Sequence, residues 1–398
     1  MKATGMTIHA PATEAEAASI VAEARARKTT LAIAGGGSRA GLGRPVEATA
    51  TLSTRALTGV TLYEPAEMVF SARAGTPLAE IEAMLAEKSQ MLPFEPMDHR
   101  ALLGASGEPT IGGLAACNAS GPRRIQAGAA RDHFLGVRFV NGRGEIIKSG
   151  GRVMKNVTGL DLVKINCGAH GTLGLLTEVT FKALPRPPAA GTLVFDGLDD
   201  ARAVACMSAA LGSPFEVSAA AHLPAWIDGV ARTCLRIEHF PDSVDYRLAA
   251  LSKLLADYGK ARRLDGAEGA ALWRDIRDVQ ALASPADAAV WRVSLAPSRA
   301  PGFVAAVRES LALRALYDWG GGLVWLACAA SGYAGAGVIR AALGGQGHAT
   351  LVRAPEAVRA AVDVFVPLAA PVMRLTKGIK ASFDPDRALN PGRMYAGV

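Results

Sequence analysis

Apolar positions in the first half of the chain form short runs separated by glycine-rich or polar segments. Thr13 and Glu16 have the spacing of a capping box ahead of an alanine-rich stretch, which predicts a helix at 15–28. The apolar run at 31–35 predicts a strand that leads directly into GGGSRAGLGRP. Further strands are predicted at 48–52, 59–63, 67–73, 136–140 and 173–182, and a helix at 77–88. This alternation is typical of an α+β domain.

A second lobe is predicted after 184–191, where PRPPAAG has the composition of a linker. Beyond it, TLVFDG predicts a new strand, and the apolar spacing at 244–258 predicts an amphipathic helix. We expect strands of one sheet at 290–296, 323–328 and 349–353, helices between them at 302–314 and 335–343, and a further helix at 355–376. The polar tail KGIKASFDPDRALNPGRMY follows.

Composition agrees with two lobes and narrows the functional classes. Half of the 398 residues are apolar and one fifth are charged, so the chain can bury a large core. It has no uninterrupted apolar run of about 18 residues, and its start lacks the layout of a secretory signal. We therefore expect a cytoplasmic protein.

The five cysteines are scattered and form no CxxC pair. This spacing argues against a zinc site, an iron–sulfur cluster held by this chain alone and a disulfide framework, so no metal is predicted. The net charge of +7 is compatible with nucleic acid, an anionic membrane surface, an acidic partner or an anionic small molecule. Since no basic run is interleaved with aromatic residues, a generally basic surface is favoured over a nucleic-acid site.

Three glycine-rich loops are candidates for binding a phosphorylated cofactor. Gly35, Gly36, Gly37 and Ser38 allow backbone N–H groups to converge on an anion, although a tight turn is an equal alternative for this loop alone. The loop lacks the lysine of GxxxxGK[ST], and no GxGxxG follows the strand, so neither a P-loop nor a Rossmann fingerprint is supported. GASGEPTIGGLAACNASGPRR at 104–124 and CGAHGTLGLLTEV at 167–179 are the other two loops. Two such loops suit a diphosphate.

The chain resembles a known flavoprotein family in six segments that occur in the family's order. These are AGGGSRAGLGR (34–44), PTIGGLAACNASGPRR (109–124), 130–187, LWRDIRD (272–278), GGQGHATLVR (344–353) and FDPDRALNPGRMY (383–395). They resemble the p-cresol methylhydroxylase-type (vanillyl-alcohol oxidase-type) FAD-binding proteins, and among these the FAD-binding E subunits of bacterial glycolate oxidase, also called glycolate dehydrogenase.

The resemblance implies an α+β FAD-binding domain of two subdomains at 1–187. It also implies an α/β substrate cap with an antiparallel sheet at 188–353, and a C-terminal segment at 354–398 that returns to the FAD domain. The implied FAD contacts are backbone amides that hold the diphosphate, a second loop that flanks the diphosphate and the flavin, two residues on the adenine-to-flavin face and one beside the flavin ring. In that order they are Gly35, Gly36, Gly37 and Ser38; Thr110, Gly112, Gly113, Asn118 and Ser120; Gly174 and Leu176; and Asn390.

Two departures from related D-2-hydroxyacid dehydrogenases are visible. GLDL at 159–162 replaces the usual GYDL, and His170 stands where their SEGT glutamate would be, so polar contacts there are expected to differ. No histidine matches the residue that attaches FAD covalently in some relatives. We therefore predict noncovalent FAD.

Oxidising a 2-hydroxy acid requires a base for the hydroxyl proton, cationic groups for the carboxylate and a flavin to accept hydride. Arg274 and Arg277 in LWRDIRD are the predicted carboxylate ligands, since they lie three residues apart on one helical face and a guanidinium matches a carboxylate. Arg292, at the start of a strand, is a further candidate. The alternative interpretation is that these arginines are solvated, or ion-paired with Asp275 or Asp278.

His348 is the first candidate for the base because glycines surround it beside a strand, and His222 and His239 are weaker candidates. A hydrogen-bonded structural histidine is the alternative in each case. Related D-2-hydroxyacid catalytic subunits carry metal-binding histidine pairs in their caps, whereas this sequence has no HxH or HH pair. That difference favours an electron-relay or assembly role.

Three functions remain open from the sequence. The first is an FAD subunit that oxidises glycolate or D-lactate to the 2-oxo acid, acting with a sister FAD subunit and an iron–sulfur subunit. The second is a stand-alone D-2-hydroxyacid dehydrogenase or flavin oxidase, and the third is a noncatalytic flavin-binding subunit. Any membrane association is expected through partners, peripherally on the inner face of the cytoplasmic membrane.

Overall fold

The structure is a computed structural model that describes residues 7–152 and 159–398. Residues 1–6 and 153–158 belong to the predicted FAD-binding domain, and 153–158 also to the segment 130–187. Both stretches lie outside the described residues.

The chain begins with a small parallel sheet backed by a helix. In chain order the elements are β1 (Thr7–His9), α1 (Glu14–Ala26), β2 (Leu31–Ala34) and β3 (Ala50–Ser53), with β3 between the other two strands. Thr13 Oγ1 accepts a hydrogen bond from the Glu16 N–H at 3.2 Å, and the Glu16 carboxylate accepts one from the Ala12 N–H at 2.8 Å. The predicted helix is confirmed, with the reciprocal bond of its cap shifted by one residue.

A five-stranded antiparallel sheet forms the second part of this lobe, in the order β4-β5-β9-β7-β8. Its strands are β4 (Val60–Glu64), β5 (Val69–Arg73), β7 (Phe134–Val140), β8 (Ile146–Gly150) and β9 (Leu175–Lys182), while β6 (Gln90–Met91) pairs with β10 (Leu184–Pro185). The four predicted strands in this region are confirmed. The helices between them are α2 (Leu78–Glu87), α3 (Arg100–Leu103), α4 (Ile111–Cys117), α5 (Arg124–Ala127), α6 (Ala130–His133) and α7 (Leu162–Asn166).

An eight-stranded antiparallel sheet forms the cap, in the order β14-β11-β13-β12-β16-β17-β15-β18. Its strands are β11 (Ala189–Asp196), β12 (Val217–Leu223), β13 (Arg232–His239), β14 (Arg262–Asp265), β15 (Ala289–Leu295), β16 (Leu313–Asp318), β17 (Leu323–Cys328) and β18 (Gly347–Arg353). β15, β17 and β18 are neighbours, which confirms the prediction that these three segments share one sheet. The predicted domain boundary at 187/188 lies between β10 and β11, and the boundaries themselves stay a prediction.

The cap helices accompany this sheet, and the chain ends with two more helices. They are α8 (Asp200–Leu211), α9 (Pro241–Leu254), α10 (Gly266–Arg277), α11 (Ala300–Arg308), α12 (Ser331–Ala334), α13 (Ala336–Leu343), α14 (Glu356–Ala361) and α15 (Ala370–Phe383). The helix predicted at 302–314 ends at Arg308, because the chain turns there into strand β16.

The single helix predicted at 355–376 is wrong. The structure has α14 and α15 instead, separated by an extended stretch in which Val362 and Val364 are buried. The Leu351 N–H of β18 donates to the Val364 carbonyl at 2.8 Å, so this stretch lies along the edge of the cap sheet. Pro367 also lacks the N–H that a continuous helix would need there.

The two faces of the cap sheet enter different cores. Trp291 and Val293 of β15 pack with the helices α8, α11 and α13 on the outer face. Val290 and Val352 lie on the inner face, where they join a cluster that includes Met97 of the first lobe. The inner face of the cap therefore rests on the predicted FAD-binding domain.

Candidate functional site

A cavity of about 260 Å³ lies where β2, the glycine loops and the C-terminal tail meet. Of the twelve predicted FAD contacts, ten line it, namely Gly35, Gly36, Gly37, Ser38, Thr110, Gly112, Gly113, Gly174, Leu176 and Asn390. The folded chain thus brings together loops that are distant in sequence. Whether these residues contact FAD stays a prediction.

Close contact between two glycine loops shapes one wall of this cavity. A Cβ on Gly36 would lie 1.9 Å from the Glu108 carbonyl oxygen, so only glycine fits there. Gly37 has a φ of +94° and forms an isolated parallel bridge with Glu108. The Thr110 hydroxyl accepts a hydrogen bond from the Gly113 N–H at 3.2 Å and starts α4. The glycines keep this wall free of side chains.

Asn118 and Ser120 do not line the cavity. The Asn118 side-chain carbonyl accepts a hydrogen bond from the Arg131 N–H at 3.0 Å, and the Ser120 hydroxyl accepts one from the Ala130 N–H, also at 3.0 Å. In the structure these side chains therefore hold the start of α6 against the end of α4. Their predicted contact with FAD remains untested.

The C-terminal tail supplies Asn390, which is 2% exposed. Its side-chain oxygen accepts a hydrogen bond from the Ile33 N–H at 2.8 Å, and its Nδ2 donates to the His170 carbonyl at 2.7 Å. Behind it, the buried Lys380 ammonium donates to the Asp384 carboxylate at 2.7 Å and to the Leu389 carbonyl at 2.8 Å. The tail is thereby fixed at the edge of the cavity.

Arg39 and Arg393 also line the cavity, and the sequence reasoning missed both. Arg39 is 7% exposed and donates from Nη2 to the Met97 carbonyl at 3.1 Å, but its Nε and Nη1 have no partner within 7–152 and 159–398. The Nε of Arg393 is likewise buried and unpaired among the described residues. Burial lowers the pKa of both guanidinium groups. Unpaired buried cationic donors beside a glycine loop fit an anionic group such as a cofactor diphosphate. The arginines of SRAGLGR and NPGRMY are the sequence signal that could have pointed to them.

Cys117 and His170 lie side by side on the cavity wall, with Sγ 3.9 Å from Nδ1. Burial raises the pKa of the Cys117 thiol, which disfavours the reactive thiolate. Burial, together with the charge of Arg393, lowers the pKa of His170 to about 4, so this imidazole is neutral at physiological pH. The pair presents neutral groups to whatever fills the cavity.

His348 lies on the inner face of the cap sheet. It is opposite Ser294 in the register of β15 and β18, and Arg292 is opposite Thr350, so these four side chains share one face. Partial burial and the charges of Arg292 and Arg124 lower the pKa of His348, although part of its ring is exposed to solvent. The structure therefore places the predicted base beside two arginines.

Arg274 and Arg277 lie elsewhere, on α10. Arg274 is exposed, while the half-buried Arg277 makes a two-point ion pair with Asp278, with both hydrogen bonds 2.8 Å long. Neither lines the cavity. These contacts match the alternative interpretation given above, and the predicted role in carboxylate binding stays untested. The weaker base candidates also lie apart from the cavity, and His222 is buried against Thr233.

Within 7–152 and 159–398, no helix has the length and apolar character that crossing a bilayer requires. In the same ranges, no group of three or more histidine, cysteine, aspartate or glutamate side chains is arranged to hold a metal ion.

Comparison with known proteins relates this geometry to flavoproteins. Residues 7–150 match the model of a family described as an FAD binding domain. The chain is 37% identical over 378 residues to the glycolate oxidase subunit GlcE of Escherichia coli K12, which covers 94% of this chain and 95% of that protein. It is also 38% identical to the glycolate oxidase subunit GlcD of Bacillus subtilis, but over 23% of this chain and 20% of that protein.

Solved structures support the same fold. p-Cresol methylhydroxylase with bound substrate has a TM-score of 0.74 at 14% identity, covering 98% of this chain and 88% of that one. At this identity the likeness concerns the fold alone, which is the predicted p-cresol methylhydroxylase-type α+β fold. The chain therefore belongs to the family of the glycolate oxidase subunit GlcE and is a flavoprotein oxidoreductase built on an FAD-binding domain.

Proposed function

We propose that this chain is the FAD-binding subunit of a glycolate dehydrogenase complex, which oxidises glycolate to glyoxylate and passes the electrons to a partner iron–sulfur subunit. The observation that carries the proposal is the cavity in which three glycine loops, Asn390 and two arginines with unpaired donors converge. Likeness to GlcE along nearly the whole chain, including the cap, supports the same activity. A sister FAD subunit is part of this proposal, and so is cytoplasmic residence with membrane contact made through partners.

FAD would lie along the cavity. Its diphosphate would meet the backbone of Gly35–Ser38 and the unpaired donors of Arg39, and Asn390 would stand beside the flavin. When bound, FAD supplies an acceptor for the hydride that leaves the substrate carbon. We propose that it is held without a covalent bond, because the neighbouring Cys117 thiol is kept protonated by burial.

The residues of this chain would handle the proton and the carboxylate. Oxidation removes two electrons with one hydrogen from the substrate carbon and releases the hydroxyl proton. His348 is the proposed acceptor of that proton, and its lowered pKa keeps the imidazole neutral and able to accept a proton at pH 7. D-Lactate has the same reacting groups and is a second proposed substrate.

The test is an anaerobic titration of the purified full chain, alone and with its partner subunits. The flavin band at about 450 nm should bleach on addition of glycolate. D-Lactate is tested in the same way, with its enantiomer L-lactate as the comparison. His348→Gln should keep the FAD content but slow bleaching by about 10²-fold or more. The proposal would be overturned if the chain purified without FAD and bound none when FAD was added. Bleaching by the isolated chain would make it a stand-alone dehydrogenase, and a flavin that stays oxidised even in the full complex would make it a noncatalytic subunit.

A further inference from the structure

Two arginines approach the same tryptophan at the junction of the cap and the FAD-binding domain. The guanidinium carbon of Arg124 lies 4.7 Å from the ring centre of Trp319, and that of Arg292 lies 4.9 Å from it. Arg124 begins α5 in the first lobe, whereas Arg292 is on the inner face of β15 in the cap. The Trp319 Nε1 donates to the Gly121 carbonyl at 3.1 Å, which fixes the ring between the lobes.

Neither guanidinium is ion-paired with another residue that the structure describes; burial lowers the pKa of Arg124, and the Asp132 carboxylate opposes that shift without forming an ion pair. Among the residues that the structure describes, no side-chain hydrogen bond and no ion pair is made by Arg124 or Arg292. Asp318 lies near enough to Arg292 to influence it, but its carboxylate accepts the Trp319 N–H at 2.7 Å and forms no ion pair. Burial also raises the pKa of Asp318 to about 7, which weakens it further as a counter-charge.

Two arginines against one tryptophan ring repel each other, and no ion pair among the described residues offsets that repulsion. Burial and the charge of Arg124 lower the pKa of Arg292 to about 10, although it remains protonated at neutral pH. A carboxylate bound beside these arginines would relieve the repulsion, and a guanidinium fork forms charge-assisted hydrogen bonds with a carboxylate. The aromatic ring already orients both arginines, so less side-chain freedom would be lost on binding.

The neighbouring side chains suit a small polar molecule. Ser294, His348 and Thr350 share the inner face with Arg292 and offer hydroxyl and imidazole groups. The charges of Arg292 and of the cavity-lining Arg39 both contribute to lowering the pKa of the buried His99, so both arginines lie near this histidine.

We infer that Arg124 of the first lobe and Arg292 of the cap, both against Trp319, form the subsite that holds the carboxylate of a small organic acid. This inference deepens the proposed function and rests on it for the identity of the acid. From the sequence, Arg274 and Arg277 come first for this role and Arg292 is a further candidate, whereas Arg124 is not among them.

The probe is oxalate, a two-carbon acid with no hydrogen on carbon to be transferred as hydride, titrated calorimetrically into the oxidised FAD-loaded full chain. The wild type should bind it at one site, and Arg292→Gln and Arg124→Gln should each weaken binding by about tenfold or more. Arg374→Gln is the matched control, because this exposed arginine on α15 makes no side-chain hydrogen bond among the described residues. It should change the dissociation constant by less than about twofold.

Two further variants separate binding from folding. Arg292→Lys keeps the charge but not the planar fork, so it should restore part of the affinity lost in Arg292→Gln. The FAD content and the near-ultraviolet dichroism of each variant should match those of the wild type, which shows that the weakened binding is local. Arg274→Gln tests the other assignment directly.

The outcomes distinguish this inference from the proposed function. The inference would be overturned if Arg274→Gln lost oxalate binding while Arg292→Gln kept it. It would also be overturned if all variants bound oxalate equally, if the wild type did not bind oxalate, or if the wild type bound sulfate as tightly as oxalate. If oxalate binding depends on Arg292 while glycolate never reduces the flavin, the subsite stands and the proposed function fails. If glycolate reduces the flavin equally well in Arg124→Gln and Arg292→Gln, the subsite fails and the function stands.

Discussion

Replacing Glu95 with glutamine should loosen the junction between the cap and the FAD-binding domain. The Glu95 carboxylate accepts two hydrogen bonds from Arg236, both 2.8 Å long, and a third from the Arg123 N–H at 3.1 Å. Arg123 and Arg236 in turn contact Glu238, at 2.5 and 3.1 Å. Glu95 and Arg123 belong to the first lobe and the other two residues belong to the cap, so this buried network joins the lobes.

The magnitude follows from the burial of the charges. The side chain of Arg236 is 6% exposed, and removing one partner of a buried ion pair typically costs about 3–5 kcal/mol. Because Glu238 remains as a partner, we expect about 3 kcal/mol for Glu95→Gln. With an unfolding entropy of about 2.1 cal/mol/K per residue over 398 residues, this corresponds to a fall in Tm of about 3–4 °C.

The assay is urea and thermal unfolding of the FAD-loaded chain, repeated from pH 8 to pH 3. Burial alone would raise the pKa of Glu95, but the charges of Arg236 and Arg123 hold it below its usual value. A carboxyl whose pKa is depressed by folding stabilises above its unfolded pKa and loses that contribution as pH falls through its folded pKa. The difference between the wild type and Glu95→Gln should therefore be constant at pH 5–8 and shrink below about pH 4.

Glu23→Gln is the matched control, since Glu23 pairs with Arg27 at 2.6 Å on the exposed face of α1. An exposed pair of this kind contributes about 0.5 kcal/mol or less. A loss below about 1 kcal/mol in Glu95→Gln, or an equal loss in Glu23→Gln, would refute the argument that the buried network stabilises the junction.

Three further predictions concern the cavity and the tail. Gly36→Ala should reduce FAD content and affinity by at least about tenfold, because its Cβ would collide with the facing loop, whereas Gly302→Ala, with open space around it, should bind FAD normally. Lys380→Met should lower the free energy of unfolding by about 3–5 kcal/mol, as seen in urea midpoints, because it leaves a buried carboxylate unpaired. Burial lowers the pKa of His99 to about 3 and that of His170 to about 4, so stability should fall as pH drops from about 6.5 to 4, by up to about 1.4 kcal/mol per pH unit for each histidine.

Each of these predictions has a contradicting result. Full FAD occupancy in Gly36→Ala would mean that the two loops do not need their close approach. Lys377→Met, an exposed change on the same helix as Lys380, should be neutral, and an equal loss in both variants would argue for a general effect on α15. His99→Gln should flatten the stability profile between pH 6.5 and 4, and an unchanged slope would mean that His99 is not buried in its neutral form.

Much of the secondary structure could be predicted from local patterns. The helical pattern of α1 and the apolar pattern of β9 can each be recognised within the segment itself, and the predicted bounds of both elements are close to the observed ones. The helix expected at 355–376 is interrupted where Val362 and Val364 are buried and the Val364 carbonyl accepts a hydrogen bond from Leu351 of β18. That contact depends on a strand elsewhere in the chain, so the residues of the segment alone do not indicate it.

The residues of the candidate site also differ in how well the sequence predicts them. Glycines following a strand are a local signal, since backbone freedom is a property of the residue, and ten of the predicted contacts line one cavity. An arginine in the sequence can be named as a candidate, but its neighbours in the sequence do not show whether its charge will be buried or paired. In the structure, Arg39 stands out because it is buried with two donors unpaired among the described residues. Arg124 and Arg292 stand out because both contact Trp319, which belongs to a third segment of the chain. The sequence by itself determined the glycine-rich loops and the α+β class. Only the tertiary structure decided which charged side chains lie together, because burial and charge pairing arise between segments far apart in the chain.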